Sequence, residues 1–268
     1  MILTELRKLF RRPRTWMALF LLDALPTVVA IFVAVTKVGP RPGEGPAFLS
    51  AVLSNGALFP AAALAIVLPL FLPISVAVVA GDAIAGEASG GTLRYLLARP
   101  VGRTRLLVAK LVSAVAFIVV AVVLVAATAF VVGAHLFGVH PLPALSGGPP
   151  LSGLAATSRI ALTVVYVGWS MLGVAAVALF LSTVTDSALG AALGTLAVLV
   201  ASQVLVVLDA AAAIRPYLPT RYWLAFVDLF RTPIFWHDIV RGVALQGVYV
   251  IVLLGFAWAN FSSKDITS

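Results

Sequence analysis

The stretch from Gly81 to Leu111, GDAIAGEASGGTLRYLLARPVGRTRLLVAKL, carries most of the residue types in this chain that could do chemistry. Its opening, G-D-A-I-A-G-E, has the glycine spacing of a phosphate-binding loop, Gly81 to Gly86. A working loop follows its second glycine with lysine, which neutralises phosphate, and with serine or threonine, which binds magnesium. Here Glu87 and Ala88 stand in those places and would repel phosphate, so nucleotide binding by this chain is not expected. His135 and His140 share one connection and His237 lies elsewhere; their spacing does not demand a metal. Ser170, in GWSMLG, lacks the G-x-S-x-G spacing of a nucleophile, and no apolar span contains a histidine base. The absence of cysteine removes disulfides, thiolate zinc sites and thiol nucleophiles. No catalytic, cofactor or metal site is expected in the chain.

The residues that could position such a site are overwhelmingly apolar. Of 268 residues, 62% are hydrophobic and 10% charged, and the mean hydropathy is +1.12. A soluble domain carries about 25% charged residues, so this is an all-α, polytopic membrane protein in a single domain, 1–268. A net charge of +8 could signal nucleic acid, but the basic residues flank apolar spans, where they set membrane orientation. Nucleic acid is not an expected partner; the lipid bilayer is. No cleaved signal peptide is read at the N-terminus.

About 20 apolar residues cross the hydrocarbon core as a helix. Six runs qualify: Trp16 to Thr36, Ala57 to Ala80, Leu111 to Val132, Ile160 to Leu181, Ala188 to Leu208 and Val243 to Ala259. Pro26, Pro69 and Pro73 sit inside spans, which neighbouring helices can accommodate. An even number of spans puts both termini on one side. With the N-terminus cytoplasmic, that side holds eleven of the eighteen lysines and arginines, five of them upstream of the first span. Gly81 to Leu111 is then cytoplasmic.

Two segments on that side are amphipathic. In MILTELRKLF, Ile2, Leu3, Leu6, Leu9 and Phe10 share one helical face, with Glu5, Arg7, Lys8 and Arg12 opposite. Such a helix, over residues 1–14 and closed by Pro13, lies in the membrane interface with its cations near anionic headgroups; the alternative is a basic flank that only sets topology. In the second segment, 81–107, Thr92 caps a short helix, Leu93, Leu96 and Leu97 share a face, and Pro100 ends it. This is a stiff knob between two spans, or simply a solvated loop.

The acidic residues after the second span, GTLRYLLARPVGR, and Lys110 at the start of the third resemble permeases of the ABC-2 type in ATP-binding cassette exporters. The basic N-terminal helix and six-span layout extend that resemblance over essentially the whole chain. It implies a second permease, identical or related, and two separate cytoplasmic ATPase subunits that hold ATP and magnesium. This chain would then hold no cofactor and catalyse nothing. Residues 81–107 would contain a coupling helix seated in a cleft of the ATPase, and 1–14 an interfacial connecting helix. Glu87, Gly91, Thr92, Leu93, Arg94, Leu97, Pro100 and Arg103 occupy the coupling positions, with Leu93 and Leu97 as apolar anchors and Glu87 and Arg94 as polar contacts. The implied setting is a bacterial or archaeal cell membrane, and the implied direction is export; the apolar walls of the spans, with few polar groups, suit a hydrophobic or amphiphilic cargo.

Residues 209–240 are too long and too aromatic for a turn: Trp223, Phe226 and Phe230 recur at helical spacing. They form either short helices re-entering the outer leaflet, as that family implies, or an interfacial aromatic belt. Asp23 and Gln203, polar within spans, either line a substrate pathway or make structural hydrogen bonds. Two rival functions remain. An ion-driven secondary transporter wants several intramembrane ionisable groups and an inverted repeat, and Asp23 stands nearly alone. A membrane scaffold or sensor subunit would use the same knob on a partner that is not an ATPase.

Overall fold

The computed structural model describes residues 2–38, 48–53, 55–89, 102–140 and 152–263. It is all-helical. The helices are α1, Ile2–Arg11; α2, Pro13–Thr36; the single turn α3, Leu49–Val52; α4, Phe59–Val67; α5, Phe71–Ser89; α6, Arg103–Phe137; α7, Gly153–Val184; α8, Ala188–Val207; and α9, Trp236–Ser263. Six of them, α2 and α5 to α9, are long and apolar enough to cross a membrane. The chain is therefore an integral, multi-pass membrane protein, and all six spans expected from hydropathy have a counterpart.

The boundaries differ for physical reasons. The second span, read as one run from Ala57 to Ala80, is divided between α4 and α5 by a turn over 68–70. Pro69 and Pro73 have no N–H, so the carbonyls four residues earlier lose their partners. One of these, the Pro69 carbonyl, accepts instead from Gln203 Nε2 of α8. Helix α5 then continues through Gly81 to Ser89, where a loop was expected, which places Asp82 and Glu87 on a helix. Helix α6 starts eight residues before the expected third span and ends five after it, at Phe137, so His135 is helical. Its 35 residues extend about 50 Å at 1.5 Å per residue, well beyond a core of about 30 Å.

Helix α7 is the central post, packed on α5, α6, α8 and α9. Small residues allow close approach, as is usual where lipid supplies no hydrophobic drive between helices. A Cβ on Gly173 of α7 would fall 1.9 Å from Gln246 Oε1 of α9. At the α1 end, Ser182 Oγ of α7 donates to Gly81 O (2.8 Å) and accepts from Ala85 N–H (2.8 Å). Gly81 O and Ala85 N–H are an i, i+4 pair, so the hydroxyl is inserted into the ladder of α5, a recognised cause of helix bending.

Between α8 and α9, 3-10 turns occupy Asp209–Ala211, Arg215–Tyr217 and Trp223–Phe230. Trp223, Phe226 and Phe230 are buried, and Phe230 meets Phe48 edge-on at 4.8 Å. Tyr217, Phe235 and Trp236 are exposed. The aromatic residues thus divide into a packed set and an outward set. Side chains of the long helices take up the segment's carbonyls: Tyr166 Oη donates to Tyr222 O (2.6 Å), Gln246 Nε2 to Pro219 O (2.6 Å) and Tyr249 Oη to Tyr217 O (2.9 Å).

The α5–α8 contact gives a packing test. A side chain on Gly81 would place its Cβ 3.1 Å from Ala192 N and 3.4 Å from Ala191 Cβ, whereas Gly102 faces open space. Gly81→Leu should cost about 1–3 kcal/mol through overpacking, and Gly102→Ala less than about 0.5 kcal/mol. Thermal unfolding in mild detergent reads both; equal melting temperatures would contradict the packing described.

Candidate functional site

Three helices each turn a stripe of side chains toward one point. Along α1 and the residue just after it the stripe is Glu5, Lys8, Leu9 and Arg12, at the i, i+3, i+4, i+7 spacing of one helical face. Helix α5 contributes Val79, Asp82 and Ala83, and α6 contributes Lys110, Ser113 and Ala114, around a cavity of about 40 Å³. The joint between α1 and α2 fixes the first stripe. Pro13 occupies the first turn of α2, and the α1 carbonyls it leaves over are capped: Thr15 Oγ1 donates to Leu9 O and Trp16 Nε1 to Phe10 O, both at 2.8 Å.

Charged groups link the stripes. Lys110 Nζ donates to Glu5 Oε2 at 2.6 Å and to Glu87 Oε1. Lys8 Nζ donates to the same Glu87 oxygen at 2.5 Å. Arg12 and Arg14 both pair with Asp82 Oδ2, the latter at 2.8 Å. Glu87 is only 3% exposed and Lys110 only 4%. Three carboxylates (Glu5, Asp82, Glu87) face four cations (Lys8, Arg12, Arg14, Lys110), a net of +1. A buried charge is tolerated only with a partner in good geometry, and removing one partner costs about 3–5 kcal/mol. The cluster therefore holds α1 against α5 and α6 as a unit. It contains no nucleophile–base pair, and among the described residues no group of three or more histidines, acids or cysteines could hold a metal.

The residues singled out in the sequence are distributed as follows. Glu87 belongs to the cluster, 3% exposed and paired with Lys110 and Lys8. Arg103 opens α6 and donates to Phe261 O (3.2 Å) and Ser262 O (2.7 Å) at the end of α9. Nearby, Phe261 is buried among Ile84, Leu106 and Leu107, and Trp258 Nε1 donates to Thr104 Oγ1 (2.9 Å). Gly91, Thr92, Leu93, Arg94, Leu97 and Pro100 lie outside the described residues. Asp23 is hydrogen-bonded to the Thr128 hydroxyl of α6. Gln203 lines a separate cavity of about 200 Å³ with Pro69, Thr220 and Trp223, and Asp23 is not among its walls.

Glu5, Lys8, Arg12, Asp82 and Lys110 act together in a way that orientation counting does not register. The polar face of α1 is divided. Arg7 and Arg11 are exposed, whereas Glu5, Lys8 and Arg12 face protein rather than headgroups. The available signal was the 5–8–9–12 stripe with acids and bases on one line.

A family model described as ABC-2 family transporter protein matches residues 1–192, which include every member of the cluster. The chain belongs to the ABC-2 transporter family. It is a membrane permease subunit of an ABC transporter, a class that associates with ATP-binding subunits. No match was found among curated proteins. The matched part of this ABC-2 permease ends within α8, so the aromatic segment and α9 lie beyond it.

The cluster generates a coupling energy that can be measured. Lys110→Ala and Glu87→Ala should each lower the unfolding temperature of the purified permease. The double variant should lose less than the sum, by about 0.5–3 kcal/mol, as for residues in one ion-pair network. Strict additivity in a thermal double-mutant cycle would contradict a direct Glu87–Lys110 interaction.

Proposed function

We propose that this ABC-2 permease exports a hydrophobic or amphiphilic substrate, working as a homo- or heterodimer of permeases with two separately encoded ATPases that bind ATP and magnesium. The observation that carries this reading is the buried Glu87–Lys110 pair within the family-matched region. It ties α1 to the end of α5 and the start of α6, the two helices that flank residues 90–101. Leu93 and Leu97 are the anchors in the ATPase cleft, with Arg94 as a polar contact and Gly91, Thr92 and Pro100 shaping the turn. Glu87 and Arg103 act behind them as positioning residues, Glu87 through Lys110 and Lys8 and Arg103 through the end of α9. Movement of the ATPase reaches α1, α5 and α6 through the charged cluster and α9 through Arg103. Both termini and residues 81–107 are cytoplasmic in this reading, in a bacterial or archaeal cell membrane, and α1 is the interfacial connecting helix.

The cargo contacts the cavity at Gln203, whose walls offer Thr220 and Trp223 as polar groups in an otherwise apolar setting. Asp23, satisfied by Thr128, serves as a structural hydrogen bond between α2 and α6.

A pull-down of the chain from its native membranes in mild detergent, followed by mass spectrometry, tests the proposal. We expect a stoichiometric P-loop ATPase that is lost when Leu93 and Leu97 are changed to glutamate. Glu87→Gln should retain the ATPase but lower transport per ATP hydrolysed several-fold. Failure to recover an ATPase under conditions that preserve other membrane complexes would overturn the exporter reading, and unchanged transport per ATP in Glu87→Gln would overturn the role given to Glu87.

A further inference from the structure

At the end of the bundle remote from α1, helices α7 and α9 enclose a groove of about 300 Å³. Its walls include Leu162, Val165 and Trp169 of α7, Leu229 of the 3-10 segment, and Trp236 and Val243 of α9. One turn back from Leu162, on the same helical face, stands Arg159. Its Nη1 donates to Arg231 O at 3.0 Å, which ties the guanidinium to the residue that follows the 3-10 segment bearing Leu229. The charge of Arg231 is already matched: Nε meets Asp228 Oδ1 at 2.8 Å, and the guanidinium lies over the Phe235 ring at 5.9 Å. Arg159 has no carboxylate partner among the described residues. With Arg241 and Asp238 in the first turns of α9, this end of α7 and α9 carries three arginines against two aspartates, a net of +1.

An apolar groove between membrane helices would take an acyl chain of any lipid, so the selective element is the cation one turn from its wall. Guanidinium forms paired, charge-assisted hydrogen bonds with phosphate oxygens. A cation beside an apolar membrane groove can pair with a lipid phosphate by the same charge-assisted hydrogen bonds. Trp236, half exposed at the rim, is the residue type that sits at headgroup level. We propose that this groove is a specific phospholipid site, in which Arg159 binds the phosphate of an anionic lipid and the α7–α9 groove holds one of its acyl chains. The net positive charge favours an anionic over a zwitterionic headgroup. Placing a lipid here would brace the 3-10 segment between α7 and α9.

Native mass spectrometry of the purified full chain, relipidated with equal dioleoyl phosphatidylglycerol and dioleoyl phosphatidylcholine, tests this by counting retained lipids. The wild type should keep one more phosphatidylglycerol per chain than Arg159→Gln, with affinity for that lipid lowered about fivefold for one lost surface cation. Arg159→Lys should restore the lipid, which separates charge from misfolding. Val165→Trp, which fills the groove, should remove the same lipid. Equal phosphatidylglycerol counts in wild type and Arg159→Gln would overturn the proposal. So would a Val165→Trp variant that keeps its lipids but dissociates into monomers, because the groove would then be an interface between copies.

Discussion

A carboxylate gripped by two lysines, away from water, is the interaction on which the α1 end of this permease depends. Glu87 has a single oxygen shared by Lys8 and Lys110, and Lys110 is in turn shared with Glu5. Removing Glu87 or Lys110 leaves the other with one partner where it had two, and a buried charge that loses a partner costs more than the pair contributes. That asymmetry converts three separate helices into one body. Helix α1 is short and has little buried apolar surface, with only Leu9 buried along its length. Its attachment therefore rests on Glu5, Lys8 and Arg12 and on the capped joint at Pro13.

The same rule, that a polar group removed from water must be satisfied, explains the irregular parts of the bundle. Two prolines open the second span, and the carbonyl set free at Pro69 is taken by Gln203 from a different helix. A hydroxyl, Ser182, enters the ladder of α5 one turn before Glu87 and bridges Gly81 to Ala85. The 3-10 turns between α8 and α9 have their carbonyls taken by Tyr166, Gln246 and Tyr249. In each case irregular backbone persists because a side chain from another helix reaches it and satisfies its polar groups. These contacts tie α8, α7 and α9 to irregular segments, so a shift of one long helix is felt by the others.

Length and hydropathy made the six spans legible, because about 20 apolar residues have few alternatives to crossing a membrane. Their ends were less so. Hydropathy falls at Gly81, yet α5 continues to Ser89 because Asp82 and Glu87 find cationic partners on α1, α2 and α6, and such long-range compensation leaves no local mark. Helical periodicity separated apolar from polar residues along α1 but did not show which of the polar residues face protein. The stripe Glu5–Lys8–Arg12 held that information, and reading it needed the acids on α5. Trp223, Phe226 and Phe230 were recognised as a group by spacing, and all three are buried together, though in 3-10 turns rather than an α-helix. Glu87 was marked by its place in a motif. Its inward orientation depends on Lys110, 23 residues away, and on Lys8, 79 residues away.

The measurement that tests the central claim most directly is the distance distribution between spin labels on α1 and α6. The chain has no native cysteine, so labels at Leu3 and Val119, both exposed, need no background substitutions. If the charged cluster binds α1, α5 and α6 into one body, the wild type should give a single narrow distance that is the same with and without ATP and its ATPase partner. Lys110→Ala should broaden it. A wild-type distribution as broad as that of Lys110→Ala would contradict the account and leave α1 free of the helices it is held to join.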